Sequence, residues 1–190
     1  MADLQKIFDK YSYDSTIQQK SRNWFQQQAN LLRNSAINTK QLFKEQRLVS
    51  KIIPGKLYMF YYDPKLKDEL PYYDTFPLVF PYSSTGNSFM GLNMHYLPYF
   101  QRVQLMTRLL QFANTKNLDE TTRIKYSWEL ISGVSRFKDA APCIKQYLKP
   151  HVKSMFIEIP GSDWHTAMML PVEKFVGSTK STVWGESLKK

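Results

Sequence analysis

Residues 56–63, KLYMFYYD, alternate with period two: Leu57, Met59 and Tyr61 fall on one side of a strand, Tyr58, Phe60 and Tyr62 on the other. Both sides are apolar, so a strand here must be covered on both faces. Residues 77–82 and 88–96 continue the pattern on either side of SSTGN, whose small polar residues and glycine are hairpin chemistry. Gly91 inside the second run marks a bulge or a close approach of backbone. Residues 154–159 and 164–170 flank Pro160-Gly161 and read as two more strands. The expected core includes Tyr58, Phe60, Val79, Phe89 and Leu92.

Elsewhere apolar positions recur at helical spacing. Residues 15–33 predict an amphipathic helix capped by Ser15, with Ile17, Trp24, Gln28 and Leu31 on one face. Thr39 can cap a second over 40–50, with Leu42, Phe43 and Val49 inward. Pro98 opens a helix to about residue 114, its inner stripe Phe100, Val103, Met106, Leu110 and Ala113. Asp119 or Thr121 caps another that ends at Gly133, and a short basic helix is expected over 143–148. Residues 171–175 read as one helical turn, and the tail from Gly177 as irregular. The fold class expected is α+β: a small, strongly bent antiparallel sheet or partial barrel of about five strands, with inserted helices and an N-terminal helical arm. The domain reading is an arm over 1–53, a core over 54–176 and a tail over 177–190.

Charge adds a direction to this picture. Residues 1–67 hold twelve Lys/Arg against five Asp/Glu, a local +7; 68–135 come to −1, and 136–190 to +4. A neutral centre between basic ends predicts a polyanion or an acidic partner at those ends. Lys145, Lys149 and Lys153 recur every four residues, with Arg136 and Lys138 upstream, and at helical spacing would make one positive ridge. With Lys44, Arg47, Lys51 and Lys56 they form the candidate nucleic-acid-binding set. Aromatics interleave with cations in KLYMFYYDPKLK, the composition of surfaces that track phosphates and stack on bases. The start MADLQKIFDKYSYD is polar, and no run approaches membrane-spanning length, which predicts a cytoplasm-like setting without membrane contact.

Catalytic chemistry is thinly represented. The single cysteine, Cys143, excludes an internal disulfide and a multi-cysteine metal site. His95, His151 and His165 are not spaced as ligands, no phosphate-cradling glycine loop occurs, and no cofactor is expected. Asp63, Asp68, Glu69 and Asp74, beside Lys65 and Lys67, are the residue types of a metal-dependent nuclease, although the same residues also shape turns and pair with lysines.

Several strings are more specific than any of these motifs. PGKLYMFYYDPKLKDELPYYDTFPLVFPY (54–82), GLNMHYLP (91–98), DETTRIKYSWELISGVSRFK (119–138), PCIKQYLKPHV (142–152) and DWHTAMMLPVEKF (163–175) resemble, in order, a virion or morphogenesis protein of T-even-type contractile-tailed bacteriophages. The family resembled is the DNA end protectors. That resemblance implies a non-enzymatic virion protein, made in the host cytoplasm and bound near the packaged genome's end, where it shields the DNA terminus. It implies contacts with head, neck or tail subunits, double-stranded DNA ends as a partner, and an oligomeric state imposed by the particle. The competing expectation is a structural tail or baseplate component that docks on other subunits without touching DNA. Residues 1–53 carry no part of the resemblance.

Overall fold

The computed structural model describes residues 48–99, 101–102, 119, 122, 128–129, 133 and 138–189. Expectations for 15–33, and for most of 40–50 and 98–133, lie outside them. At the edges of the last region, Tyr99, Gln101 and Arg102 are helical, as the Pro98 start requires. Asp119 accepts from the Thr122 amide at 3.0 Å, the geometry of an N-cap.

Eight strands are present among the described residues: β1 Leu48–Val49, β2 Leu57–Met59, β3 Tyr73–Asp74, β4 Leu78–Thr85, β5 Ser88–Asn93, β6 Ile144–Leu148, β7 Phe156–Ile159 and β8 Phe175–Val176. Six form one sheet in the order β1-β7-β2-β4-β5-β6, and β3 pairs with β8 in a separate ribbon. Every pairing is antiparallel. Two helices follow late in the chain, α1 Trp164–Met169 and α2 Lys180–Lys189. The α+β class holds, but the expected strongly bent, five-stranded sheet or partial barrel does not form: among the described residues six strands pair in a sheet that is neither closed nor strongly curled, with β1 and β6 as its edges.

Period two places the core as expected. Leu57, Met59, Leu78, Phe80 and Leu92 face one way and pack on Trp164, Ala167 and Met168 of α1 and Val183 of α2. Tyr58, Phe60, Tyr62, Val79, Phe89, Tyr147 and Phe156 face the other way. Phe60 lies at the centre of this second cluster, edge-on to Phe156 at 5.1 Å and Tyr147 at 5.3 Å between centroids. All five residues expected in the core are buried. Cys143 is buried as well, and burial pushes its thiol up to about 12, far from the range of a nucleophile.

Gly91 is a close approach. A Cβ there would sit 2.3 Å from Val79 Cγ1 and 3.0 Å from the Phe80 carbonyl oxygen, and the register of β4 shifts nearby, between Pro81 and Ser83. Gly91→Ala should destabilise the protein by about 1–3 kcal/mol, read as a lower urea midpoint at unchanged slope. A midpoint equal to wild type would show that the strands part at no cost.

Several elements depart from expectation. Residues 144–148 form strand β6, not a basic helix: Leu92↔Ile144 through Ser88↔Leu148 pair in an unbroken ladder. A four-residue lysine spacing is two strand repeats as readily as one helical turn, so it could not decide between them. Residues 164–169 are helix α1, not a strand. Trp164, Ala167 and Met168 are buried at helical spacing, and the Trp164 indole donates to the Ile159 carbonyl at 2.8 Å. Leu48 and Val49 pair with Ile157 and Phe156 in place of helix. Residues 171–174 are not helical and lead into β8. The tail is also ordered: Gly177 turns the chain at φ +84°, and Thr179 starts α2 by accepting from the Thr182 amide. Strand pairing of the first run stops at Met59, after which Tyr61–Asp63 bond to 151–153 (Lys153 amide to Tyr61 carbonyl, 2.8 Å). The third run stops at Asn93, whose side chain caps a 3-10 turn, Met94–Tyr96.

Candidate nucleic-acid interface

A buried polar network joins β3, the 3-10 turn after β5, the start of the helix at Tyr99, and the segment before β8. The Asp74 carboxylate takes Nδ1 of His95 at 2.7 Å and Nδ2 of Asn93 at 3.2 Å on Oδ2. Its Oδ1 accepts the amides of Phe76 at 3.0 Å and Lys174 at 3.3 Å. Burial pushes the Asp74 pKa up, but the adjacent His95 ring, with the bonds from His95, Phe76 and Asn93, outweighs it and holds the group below its ordinary value. Nε2 of His95 is buried with no hydrogen-bond partner among the described residues.

Beyond His95 lies Arg102, whose guanidinium is fully buried. Nε donates to the Leu97 carbonyl at 2.7 Å and Nη2 to the His95 carbonyl at 3.0 Å. Nη2 also lies 2.8 Å from Oε1 of Glu173, a charge contact rather than a well-aligned hydrogen bond. The Tyr99 and Trp184 rings flank the guanidinium at 4.7 and 5.2 Å, and the Trp184 indole donates to the same His95 carbonyl at 2.8 Å. Burial lowers the Arg102 pKa, and Glu173 opposes that shift.

Asp74 carries a pH dependence with a definite sign. A carboxyl depressed in the fold contributes stability above its unfolded pKa, about 3.9, that is lost as pH falls through the folded value. Wild type should therefore lose stability relative to Asp74→Asn as pH falls below about 4, measured by urea midpoints. Parallel curves for the two proteins would count against the Asp74–His95 pairing.

The network stiffens one end of a groove of about 330 Å³ between the 64–73 loop and β6. Tyr62, Tyr72, Tyr73, Tyr96 and Tyr147 line it, with Leu66 and Leu70 on the loop side and Ile144–Leu148 opposite. Lys65 and Lys145 also line it, and Nζ of Lys145 lies 4.0 Å from the centre of the Tyr96 ring. Asp74 is the one carboxylate among these lining residues, and both its oxygens are taken.

Among the described residues, Lys145, Lys149 and Lys153 do not form one helical ridge. Lys145 sits in the groove, whereas Lys149, in the 3-10 turn Lys149–His151, donates to the carbonyls of Thr85 and Gly86 at 2.9 Å each. Lys153 and Lys51 are exposed, and Lys56 pairs with Glu158 at 2.9 Å. Lys44, Arg47 and Arg136 lie outside the described residues, as does the side chain of Lys138. The candidate nuclease carboxylates do not converge: Asp63 pairs with Lys67 at 3.2 Å, Asp68 and Glu69 are exposed, and Asp74 is locked in the network. No group of potential metal ligands occurs among the described residues. Arg102 and Glu173 were not singled out in the sequence. One signal was present: on a helix beginning at Tyr99, Arg102 falls one turn before Met106, on the edge of the apolar stripe.

No helix among the described residues is long and apolar enough to cross a membrane. No curated protein and no solved structure matches the chain. A family model described as phage T4 terminal DNA protecting protein matches residues 5–187, and so takes in the N-terminal region that carried no resemblance of its own. The chain belongs to that family of non-enzymatic phage proteins, which protect the ends of packaged DNA.

Proposed function

We propose that the protein protects a packaged genome end by occupying it, holding duplex phosphates with its basic side chains while it docks on a head or neck subunit of the virion. The family match across residues 5–187 carries this reading. The net charge of +10 and the exposed positions of Lys51, Lys149 and Lys153 support it. Lys44, Arg47, Arg136, Lys138, Lys145 and Lys56 belong to the same proposed phosphate-facing set. Head completion follows as a consequence, since a bound terminus is plugged as well as shielded. The particle then sets the number of copies.

Protection by occupancy has a direct test. Linear duplex DNA is exposed to a processive exonuclease with increasing amounts of the pure, full-length protein. Degradation should slow in proportion to the fraction of ends covered, and protection should fade steeply as salt rises. Equal degradation rates with and without saturating protein at low salt would refute the reading.

A further inference from the structure

We infer that the exposed ring of Tyr61, with the Lys174 ammonium beside it, is a platform on which the terminal base pair of the DNA stacks, so that the protein caps the duplex end without opening it. This rests on the end-protection reading and gives it a site.

Tyr61 stands apart from the aromatics around it. Its ring is 40 % exposed, whereas Tyr58, Phe60 and Tyr62 are buried. Its inner side lies on the buried Phe76 ring, at 4.6 Å between centroids and 36° between planes. Nζ of Lys174 is 5.3 Å from the Tyr61 centroid and 5.5 Å from that of Phe76. An ammonium beyond Tyr61 would be far closer to Tyr61 than to Phe76. Near-equal distances put it beside the pair, so it does not cover the outer face of Tyr61. The main chain holds the ring in place: the Tyr61 amide donates to Oγ of Ser154 at 2.9 Å, and its carbonyl accepts from the Lys153 amide at 2.8 Å. The platform is therefore formed before DNA arrives. Met155, next after Ser154 and 49 % exposed, adds apolar surface beside that contact.

Charge favours a base over an apolar peptide side chain. The segments that frame the ring carry three carboxylates, and each is engaged. Asp63 pairs with Lys67 at 3.2 Å, Asp74 is bonded by His95, Asn93 and two amides, and Glu173 is buried against Arg102. Lys174 is exposed and makes no ion pair among the described residues. An ammonium at the rim of an open aromatic face complements a stacked base and its phosphate, and offers nothing to an aliphatic side chain.

Shape selects an end over an interior position. Inside a duplex every base pair is covered on both faces, whereas the terminal pair leaves one face to water. An exposed ring can stack on that face without unpairing anything, and no interior position of intact duplex offers it. Because every base has a π-face, the terminus is recognised whatever its sequence.

The test compares affinity for a linear blunt duplex with affinity for a covalently closed circle, at one salt concentration, using the full-length protein. Wild type should prefer the linear form. Tyr61→Leu keeps an apolar side chain on Phe76 but removes the flat ring, and should reduce that preference about tenfold while leaving affinity for the circle unchanged. Tyr61→Phe should keep the preference. Melting curves establish that both variants fold. A second reading needs no variant: 2-aminopurine as the terminal base should lose fluorescence when wild type binds, and the same base in the middle of the duplex should not. If wild type prefers ends but folded Tyr61→Leu keeps the full preference, or the terminal probe is unchanged, the platform is not the site while end protection stands. If Tyr61→Phe loses as much as Tyr61→Leu, the hydroxyl and not the ring face is the contact, and the stacking inference falls. If wild type binds both forms equally, the inference falls as well. If it binds neither, the end-protection reading falls with it.

Discussion

Arg102→Met should lower the stability of the protein by about 3–5 kcal/mol, the cost of leaving a buried charge without its partner. For a chain of this length that corresponds to a fall in melting temperature of roughly 10 °C or more. The Glu173 carboxyl is the group left behind: its side chain is as deeply buried as Arg102's, and Nη2 of Arg102 is 2.8 Å from it. The carbonyls of Leu97 and Met168 lose a donor as well, while that of His95 keeps the Trp184 indole. Removing both charges in Arg102→Met/Glu173→Leu should recover much of the loss, because an apolar pair of similar volume pays no desolvation. A double variant less stable than the single one would mean that the carbonyl contacts of Arg102, not its charge pair, dominate. A single variant that melts with wild type would dismiss the network as a stabilising element.

The network also reaches residues that line the groove. The His95 carbonyl is shared between Arg102 and Trp184, and the His95 ring holds Asp74. Disturbing Arg102 therefore reaches the end of the groove through one residue.

How much of this was legible in the sequence follows from the range of the interactions. Strands β2, β4, β5 and β7 could be read because their faces are set by neighbours two positions away, and because Pro and Gly punctuate them. The partition of Leu57 and Met59 from Tyr58, Phe60 and Tyr62 is the same in the sequence and in the fold. At 144–148 and 164–169 the local pattern fits both periods, and tertiary pairing decides. The groove and the network were beyond local reading. Asp74 meets His95 across 21 positions and the Lys174 amide across 100, so neither partner leaves a trace near Asp74 in the chain. Most aromatics of KLYMFYYDPKLK form the core, while Tyr62 and Lys65 line the groove. The ridge of lysines failed for the reason that the helix did: β6 ends and the chain turns at Lys149–His151, sending the three side chains to different surroundings.

Changing Lys51, Lys149 and Lys153 together to Gln should weaken binding to linear duplex DNA on the order of 10²-fold at about 0.1 M salt. All three are exposed, so the fold should survive; Lys149 gives up its bonds to Thr85 and Gly86, but a glutamine amide can still reach the turn. Each phosphate neutralised releases condensed counterions, which makes log affinity fall with log salt by about 0.9 per contact. The triple variant should therefore flatten that slope by roughly two to three, equally for linear and circular DNA. A triple variant with unchanged slope and affinity would remove these lysines from the interface and leave the contacts to Lys44, Arg47, Arg136 and Lys138. A slope that flattens for linear DNA alone would place them at the terminus itself rather than along the duplex.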